Sequence, residues 1–202
     1  MSRRARLEVA AVVATAALHF VFYDLLPGRG VFIAAAALGW IAYLVVRART
    51  DPDALREFGL SRQGLRPTTT AAVAILVAGA IVCFAIGRAR GHLVLDLHML
   101  WTALLYPAWG LLQQVLVLGI VARHLASRLP AALVVAIASL LFGVVHLPHV
   151  ELAAATAVLG ALFTAVFLRW KNVVPLGICH GWLGVLFYVW VLGRDPWLEI
   201  VG

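Results

Sequence analysis

The amino-acid sequence predicts an all-α membrane protein, a polytopic bundle of seven transmembrane helices. Of its 202 residues, 64% are hydrophobic and only 12% are charged, about half the charged share of an ordinary soluble domain. The apolar residues form long runs, each close to the roughly 20 residues that a helix needs to cross a bilayer. These runs lack the short alternating segments of membrane β-strands, so every span is expected to be helical.

The predicted spans follow one another with short connections. In chain order they cover residues 7–26, 30–46, 69–86, 98–122, 131–148, 150–168 and 173–192. The number rises to eight if one run holds a short pair of helices. We interpret the first run as a retained span because no small-residue cleavage site follows it, and we treat residues 1–202 as a single membrane domain. The longest loop contains a short amphipathic segment, residues 53–59, which we expect to lie on the membrane surface.

The positive charge of the chain is interpreted as a topology signal. The net charge is +7, and basic residues are enriched in the cytoplasmic loops of membrane proteins. With the amino terminus in the cytoplasm, twelve of the 16 basic residues fall on the cytoplasmic side. This asymmetry favours that orientation, and we expect no nucleic-acid partner. The short loops lead us to expect a bacterial inner (cytoplasmic) membrane protein.

Two adjacent glutamines lie in the middle of the fourth apolar run. Amides in hydrocarbon are costly unless they find partners, so Gln113 and Gln114 are candidates for a functional site. His146 and His180, in later runs, are the residues most suited to meet them. The glutamines could instead bridge neighbouring helices through structural hydrogen bonds.

The residues around these four side chains favour a polar pocket. Tyr106-Pro107 precedes the glutamines and predicts a kink or a helix start. Phe142 lies one turn before His146, where its ring can pack against the imidazole. Small residues in the last spans are expected to let helices approach closely and so bring His146 and His180 together. These small residues are Gly143, Gly181 and Gly184.

Three short segments in the second half of the chain carry these polar residues in a fixed order. They are Leu112-Gln113-Gln114, Phe142-Gly143-Val144-Val145-His146 and Val174-Pro175-Leu176-Gly177-Ile178-Cys179-His180. Together they resemble the motifs of the CPBP family, the membrane-embedded CAAX proteases and bacteriocin-processing enzymes. In that family the motifs read Glu-Glu-x-x-x-Arg, Phe-x-x-x-His and His-x-x-x-Asn, and the first glutamate is the general base. The resemblance implies a family-like core at about residues 98–192.

The resemblance also implies roles for individual residues. The positions that match the family's polar motif residues are Gln113, Gln114, Leu118, His146, His180 and Gly184. Of these, the two glutamines and the two histidines are the predicted catalytic residues. We expect Phe142, Gly184 and Trp182 to line the substrate pocket.

The departures from the family pattern concern the chemistry. A glutamine amide cannot take a proton from water, so the replacement of both glutamates removes the usual general base. The acids nearest to the spans fall at span ends or in loops, and only Asp96 or Glu151 could reach inward. The full set is Glu8, Asp24, Asp96, Glu151 and Glu199. A histidine could act as the base instead.

The remaining histidines raise the question of a metal. His146 and His180 could bind zinc together with His149, although no local motif such as His-Glu-x-x-His is present. We include no metal ligand in the predicted site, and the cofactor requirement stays open. Three other histidines are interpreted as structural or interfacial. They are His19, His92 and His98.

Two hypotheses of function follow. The first is an intramembrane endopeptidase that acts on a membrane-associated or lipidated protein or peptide. The alternative is a catalytically inactive pseudoprotease that binds a membrane peptide in an immunity, assembly or chaperone role. A transporter or channel ranks last because the spans lack intramembrane charges. The expected partners are the lipid bilayer and the substrate, while substrate identity and oligomeric state are not predicted.

Overall fold

The structure is a computed structural model that describes residues 2–22 and 28–201, with side chains described up to Leu198. Within these ranges the chain is helical and contains no strand. The α-helices are Arg3–Phe20 (α1), Arg29–Thr50 (α2), Ala54–Glu57 (α3), Leu65–Arg90 (α4), Leu97–Gln114 (α5), Arg123–Ala126 (α6), Ala131–Val144 (α7), Val150–Trp170 (α8), Val174–Leu186 (α9) and Pro196–Val201 (α10). Two π-helical segments, Val115–Ala122 and Phe187–Leu192, continue α5 and α9. The all-α prediction is confirmed.

Five helices of the described chain are long and apolar enough to cross a membrane. They are α2, α4, α8, the continuous helix Leu97–Ala126 and the continuous helix Val174–Leu192. Each coincides with a predicted span, which agrees with an integral membrane protein. The predicted count of seven or eight spans is not confirmed.

The two other predicted spans correspond to helices that differ from the prediction. Helix α7 has 14 residues, which rise about 21 Å, less than the roughly 30 Å of a bilayer core. It ends at Val144, whereas the predicted span continued to residue 148. Helix α1 carries four charged residues at its start, and the predicted end of its span lies outside the described residues. These charged residues are Arg3, Arg4, Arg6 and Glu8.

The amphipathic loop segment packs into the protein. It forms α3, and the following Phe58 is fully buried, so the predicted position on the membrane surface is wrong for this side chain. The guanidinium groups of Arg47 and Arg123 lie 5.6 Å and 5.7 Å from the centre of the Phe58 ring, within the range of cation–π attraction. A Cβ at Gly119 would lie 2.6 Å from the Phe58 carbonyl oxygen. This glycine therefore lets the first π-helical segment contact the loop backbone directly.

A buried carboxylate holds α1 against its neighbours. Glu8 is 4% exposed and accepts a hydrogen bond from the Tyr43 hydroxyl of α2. The Nε2 of His124, in α6, lies against its other oxygen. From the sequence, Glu8 was predicted only to lie at a span end or in a loop. The partners that offset the cost of burying its charge lie far away along the chain and were not predicted.

Two arginines extend this contact into a charged cluster. Arg47 Nε lies 3.6 Å from Glu8, and its Nη1 donates to Asp51 at 2.7 Å. This hydrogen bond lowers the pKa of the Asp51 carboxyl. Arg123 Nη1 donates to Glu57 at 2.8 Å. The cluster therefore links α1, α2, α3 and the helix that carries the two glutamines.

Helices α5 and α9 approach each other through glycines. A Cβ at Gly181 would lie 2.5 Å from Pro107 Cα, and one at Gly177 would lie 2.5 Å from Leu111 Cα. Such distances are shorter than any van der Waals contact, so only glycine permits this approach. Pro107 lies inside α5, and the predicted helix start at this proline is wrong. The approach aligns the glutamine end of α5 with the middle of α9.

The glycines do not bring α7 and α9 together in the way that the sequence predicted. A Cβ at Gly143 would lie 2.9 Å from the Ala153 carbonyl oxygen of α8, so Gly143 serves the contact between α7 and α8. Gly181 serves the contact with α5. The prediction of close approach is confirmed for both glycines, but their partners are different helices, because sequence does not define which neighbour each face meets.

We predict that Gly181→Ala destabilises the protein by about 2 kcal/mol, the usual cost of forcing extra atoms into a packed interface. Gly39→Ala, within α2, is the matched control, because nothing lies within 4 Å of its Cβ position. The midpoint of thermal unfolding in detergent measures the stability of both variants. Equal midpoints for the two variants would contradict the backbone contact.

We also predict that Glu8→Ala destabilises the protein by about 3 kcal/mol, because it leaves buried cationic partners without their carboxylate. Glu151→Ala is the control, since Glu151 is exposed and pairs with Arg90 across the surface at 2.8 Å. That variant should unfold close to the parent. A Glu8→Ala midpoint equal to that of Glu151→Ala would show that the cluster does not hold α1.

Candidate functional site

A cavity of about 800 Å³ lies among the helices, a size typical of ligand sites. Helices α1, α2, α4, α5, α7, α8 and α9 or their extensions all contribute residues to it. Its walls are mostly apolar. The residues with polar groups in its lining are Thr15, His19, Tyr106, Trp109, Gln113, His146, His149, Thr156, His180 and Tyr188.

His180 projects from α9 and meets α5. It is 4% exposed, and its Nε2 lies 2.8 Å from Gln113 Oε1. An amide oxygen only accepts hydrogen bonds, so Nε2 carries the proton and donates it. The Nδ1 atom then carries the lone pair, and it is buried without a hydrogen-bond partner among the described residues. It remains an available acceptor in the site.

His146 lies in the turn that follows α7, beyond the end of the helix. Its Nδ1 lies 2.7 Å from the Phe142 carbonyl oxygen, one of the carbonyls that the end of a helix leaves unpaired. Because a carbonyl only accepts, Nδ1 is the protonated nitrogen of His146 and Nε2 carries the lone pair. The helix end therefore sets the orientation and the tautomer of this imidazole.

The Phe142 ring lies against both imidazoles. Its centre is 5.3 Å from that of His146 and 4.9 Å from that of His180, both in edge-on geometry. The two imidazole centres are 6.4 Å apart. The structure thus brings Gln113, His146 and His180 to one cavity, with Phe142 fixing the spacing between the histidines.

This arrangement combines proton acceptors and donors without a formal charge. The lone pair of His146 can take a proton from water, and the amide hydrogens of Gln113 can donate to a developing oxyanion. The described residues in the cavity lining include no Asp, Glu, Lys or Arg. Imidazole is therefore the strongest base that this part of the chain supplies to the cavity.

Comparison with protein-family models identifies a segment that contains all of these motif residues. Residues 95–186 match the family model of the type II CAAX prenyl endopeptidases, Rce1-like. Residues 95–186 are therefore similar to this family. The resemblance to the membrane-embedded CAAX proteases is thereby confirmed, and the match covers most of the predicted core at residues 98–192. No curated protein and no solved structure matches the chain significantly.

Within the Rce1-like segment, the two glutamines occupy different environments. Gln113 lines the cavity. Gln114 is 1% exposed, does not line the cavity, and its Nε2 is buried without a hydrogen-bond partner among the described residues. Leu118, at the position of the family's arginine, is 1% exposed and belongs to the hydrophobic core. Only the first glutamine therefore meets the histidines.

Of the three predicted pocket residues, two line the cavity and one does not. Phe142 and Gly184 line the cavity, and a Cβ at Gly184 would lie 3.1 Å from the Tyr106 ring. Trp182 does not line it. Its indole N–H donates to the Ala103 carbonyl oxygen at 2.9 Å, and the side chain is 42% exposed, because its position on α9 faces away from His180.

The three-histidine metal arrangement is not formed. The described residues contain no group of three His, Cys, Asp or Glu side chains placed to hold a metal ion. His149 lines the cavity, but it follows the turn that carries His146 and directly precedes α8. The candidate site is accordingly described here by its histidines and glutamine alone.

The acids that the structure describes do not supply a base to the candidate site. Asp96 caps α5 by accepting from the Met99 N–H at 2.8 Å, and Glu151 is exposed and pairs with Arg90. Neither reaches inward, and Glu8 is held in the charged cluster. Asp24 and the side chain of Glu199 lie outside the described residues.

His19 lines the cavity, although the sequence predicted another role for it. His19 of α1 was interpreted as structural or interfacial, but it lines the cavity together with the site histidines. It lies outside the Rce1-like segment, so no motif indicates it. Its place on one face of α1, seven residues after the core residue Val12, is the only signal in the sequence that could have found it.

We predict opposite tautomers for the two site histidines. In ¹⁵N-histidine NMR spectra of the protein in detergent micelles, His146 should be protonated on Nδ1 and His180 on Nε2, because each donates to a fixed oxygen. The control is Gln113→Leu, which should disturb the His180 signals and leave His146 unchanged. An Nε2-protonated His146 would contradict its contact with the Phe142 carbonyl.

Proposed function

We propose that the protein is an intramembrane endopeptidase that cleaves a membrane-associated or lipidated protein or peptide, with glutamines in place of the usual paired glutamates. The observation that carries the proposal is the meeting of His146, His180 and Gln113 at one apolar cavity, within a segment that matches the CAAX prenyl endopeptidases. The match supports the reaction class. The geometry supports the assignment of residues.

Substrate binding follows from the character of the cavity. Its walls are largely aliphatic and aromatic, and such walls favour an apolar segment or a lipid chain over a charged one. The volume of about 800 Å³ is sufficient for a lipid substituent together with a few peptide residues. A peptide bond held beside His146 would lie within the reach of the Gln113 amide.

The proposed hydrolysis uses a neutral base. His146 Nε2 accepts a proton from water, and the resulting hydroxide attacks the carbonyl carbon of the scissile peptide bond. The Gln113 amide donates to the oxyanion, and His180 holds this amide through its own N–H. The imidazolium of His146 then returns the proton to the leaving amine as the carbon–nitrogen bond breaks. The products are a carboxylic acid and an amine, which become a carboxylate and an ammonium ion by transfer of one proton, so no proton is left over.

The proposal includes the setting of the protein. We infer a bacterial inner membrane with the amino terminus in the cytoplasm, supported by the excess of arginine at the ends of the helices that would face that side. The partners are the lipid bilayer and the substrate. The glutamines at the glutamate positions also allow the chain to be a pseudoprotease, and the cleavage test includes that outcome.

We predict that the purified protein cleaves members of a panel of membrane-anchored and prenylated peptides. His146→Ala and His180→Ala should each lower the rate by at least about 100-fold, the usual worth of a positioned proton-transfer group. Gln114→Glu should also lower it, because a carboxylate would replace an amide that is buried away from the cavity. Mass spectrometry of the products gives the rates and the cleavage position. His98→Ala is the control, since His98 is 60% exposed and pairs with Asp195 outside the cavity.

Two results would contradict the proposal. Cleavage that persists in both histidine variants would remove these residues from the reaction. Absence of cleavage by the parent, with cleavage gained in Gln113→Glu or Gln114→Glu, would establish a pseudoprotease whose pocket lacks only the base.

A further inference from the structure

We propose that His19 is a substrate-positioning residue, which hydrogen-bonds the backbone of a peptide bound beside His146 and His180. The inference rests on the proposed function and deepens it by adding a residue from outside the Rce1-like segment. It makes α1 a wall of the substrate site.

One face of α1 lines the cavity. Val12, Thr15, Ala16 and His19 all contribute to the lining, and their spacing of three, one and three residues puts them on a single helical face. The same face continues back to Ala5 and Glu8, which are buried. His19 is thus at the cavity end of a stripe that begins in the charged cluster.

Three contacts fix the position of this stripe. Glu8 holds the start of α1 through Tyr43 and His124. Val12 belongs to the hydrophobic core, and the Trp40 indole N–H donates to the Thr15 hydroxyl at 3.2 Å. A helix anchored at successive turns presents its next polar residue at a defined place. His19 is therefore set in the cavity by the packing of α1 and not by its own side chain alone.

His19 shares the cavity with the site histidine His146. The imidazoles of both residues line the same cavity. A substrate that reaches His146 therefore also comes near the wall formed by α1.

The substrate needs such a group. An extended peptide in an apolar cavity carries backbone N–H and C=O groups that cost free energy unless they are hydrogen-bonded. In the proposed reaction Gln113, His180 and His146 serve the scissile peptide bond itself. His19 adds a polar group on another wall of the cavity, and its imidazole has two nitrogen atoms, so one can contact the peptide while the other is bonded within the protein.

The test compares His19→Ala and His19→Gln with the parent and with His98→Ala. The probe is a fluorescent, farnesylated peptide with a carboxy-terminal CAAX sequence, and both its Kd and its cleavage are measured in detergent. His19→Ala should raise Kd and KM by about fivefold or more, the loss of one hydrogen bond in a buried site, with kcat changed less than about twofold. His19→Gln, which keeps a donor and an acceptor, should restore most of the affinity. His98→Ala should match the parent.

Each alternative result has a defined meaning. Unchanged Kd and KM in His19→Ala would overturn the inference while leaving the proposed peptidase intact. Weak binding in both His19 variants, together with a lowered unfolding midpoint, would also overturn it by assigning His19 to packing. If the parent binds the peptide without cleaving it, the proposed function fails, and the Kd values of the variants still decide the role of His19. Absence of binding by the parent would overturn both.

Discussion

The close contact of α5 with α9 determines the geometry of the candidate site. Gly177 and Gly181 leave no room for a Cβ against Leu111 and Pro107, so the two backbones touch. This contact places one helix turn of α5 opposite one turn of α9. The hydrogen bond of 2.8 Å between Gln113 and His180 follows from that alignment. Any change that separates these helices would move the Gln113 amide away from the His180 imidazole.

The site that results has no formal charge, and this sets its chemistry. A charged carboxylate in an apolar cavity is costly unless a cation accompanies it. The chain has glutamines at both glutamate positions and leucine at the arginine position of the family motif, so the acids and their cation are absent together. What remains is a set of neutral donors and acceptors: two imidazoles with opposite tautomers and one amide. In the proposed reaction, proton transfer depends on the orientation of His146, which the end of α7 provides.

Charge is concentrated at another place in the molecule. Glu8, Arg47, Arg123 and their neighbours form a partly buried cluster, while the described residues that line the cavity include no Asp, Glu, Lys or Arg. The cluster joins α1 to the helix that carries Gln113. Helix α1 is thereby fixed relative to the site, although it lies outside the Rce1-like segment. The charged cluster and the cavity are thus connected through α1, whose residues contribute to both.

Sequence alone predicts the parts of this structure that depend on local composition. Long apolar runs predicted all five of the long membrane helices, and the motif order predicted that His146 and His180 would share a site. Sequence shows how far along a helix a residue lies, but not which neighbouring helix its side chain faces. Trp182 was therefore predicted to line the pocket, which it does not. His19 was predicted to be structural or interfacial, although it lines the cavity. The partners of Gly143 and Glu8 were missed for a related reason, since they are distant in sequence and belong to helices with no common motif.

The incorporation of solvent oxygen is the most direct test of the proposed peptidase. The purified protein is incubated with a farnesylated peptide in H₂¹⁸O, and the products are analysed by mass spectrometry. The account predicts a new carboxylate that carries one ¹⁸O atom, formed by the parent and not by His146→Ala. Absence of labelled product from the parent, or equal labelling by both proteins, would contradict it.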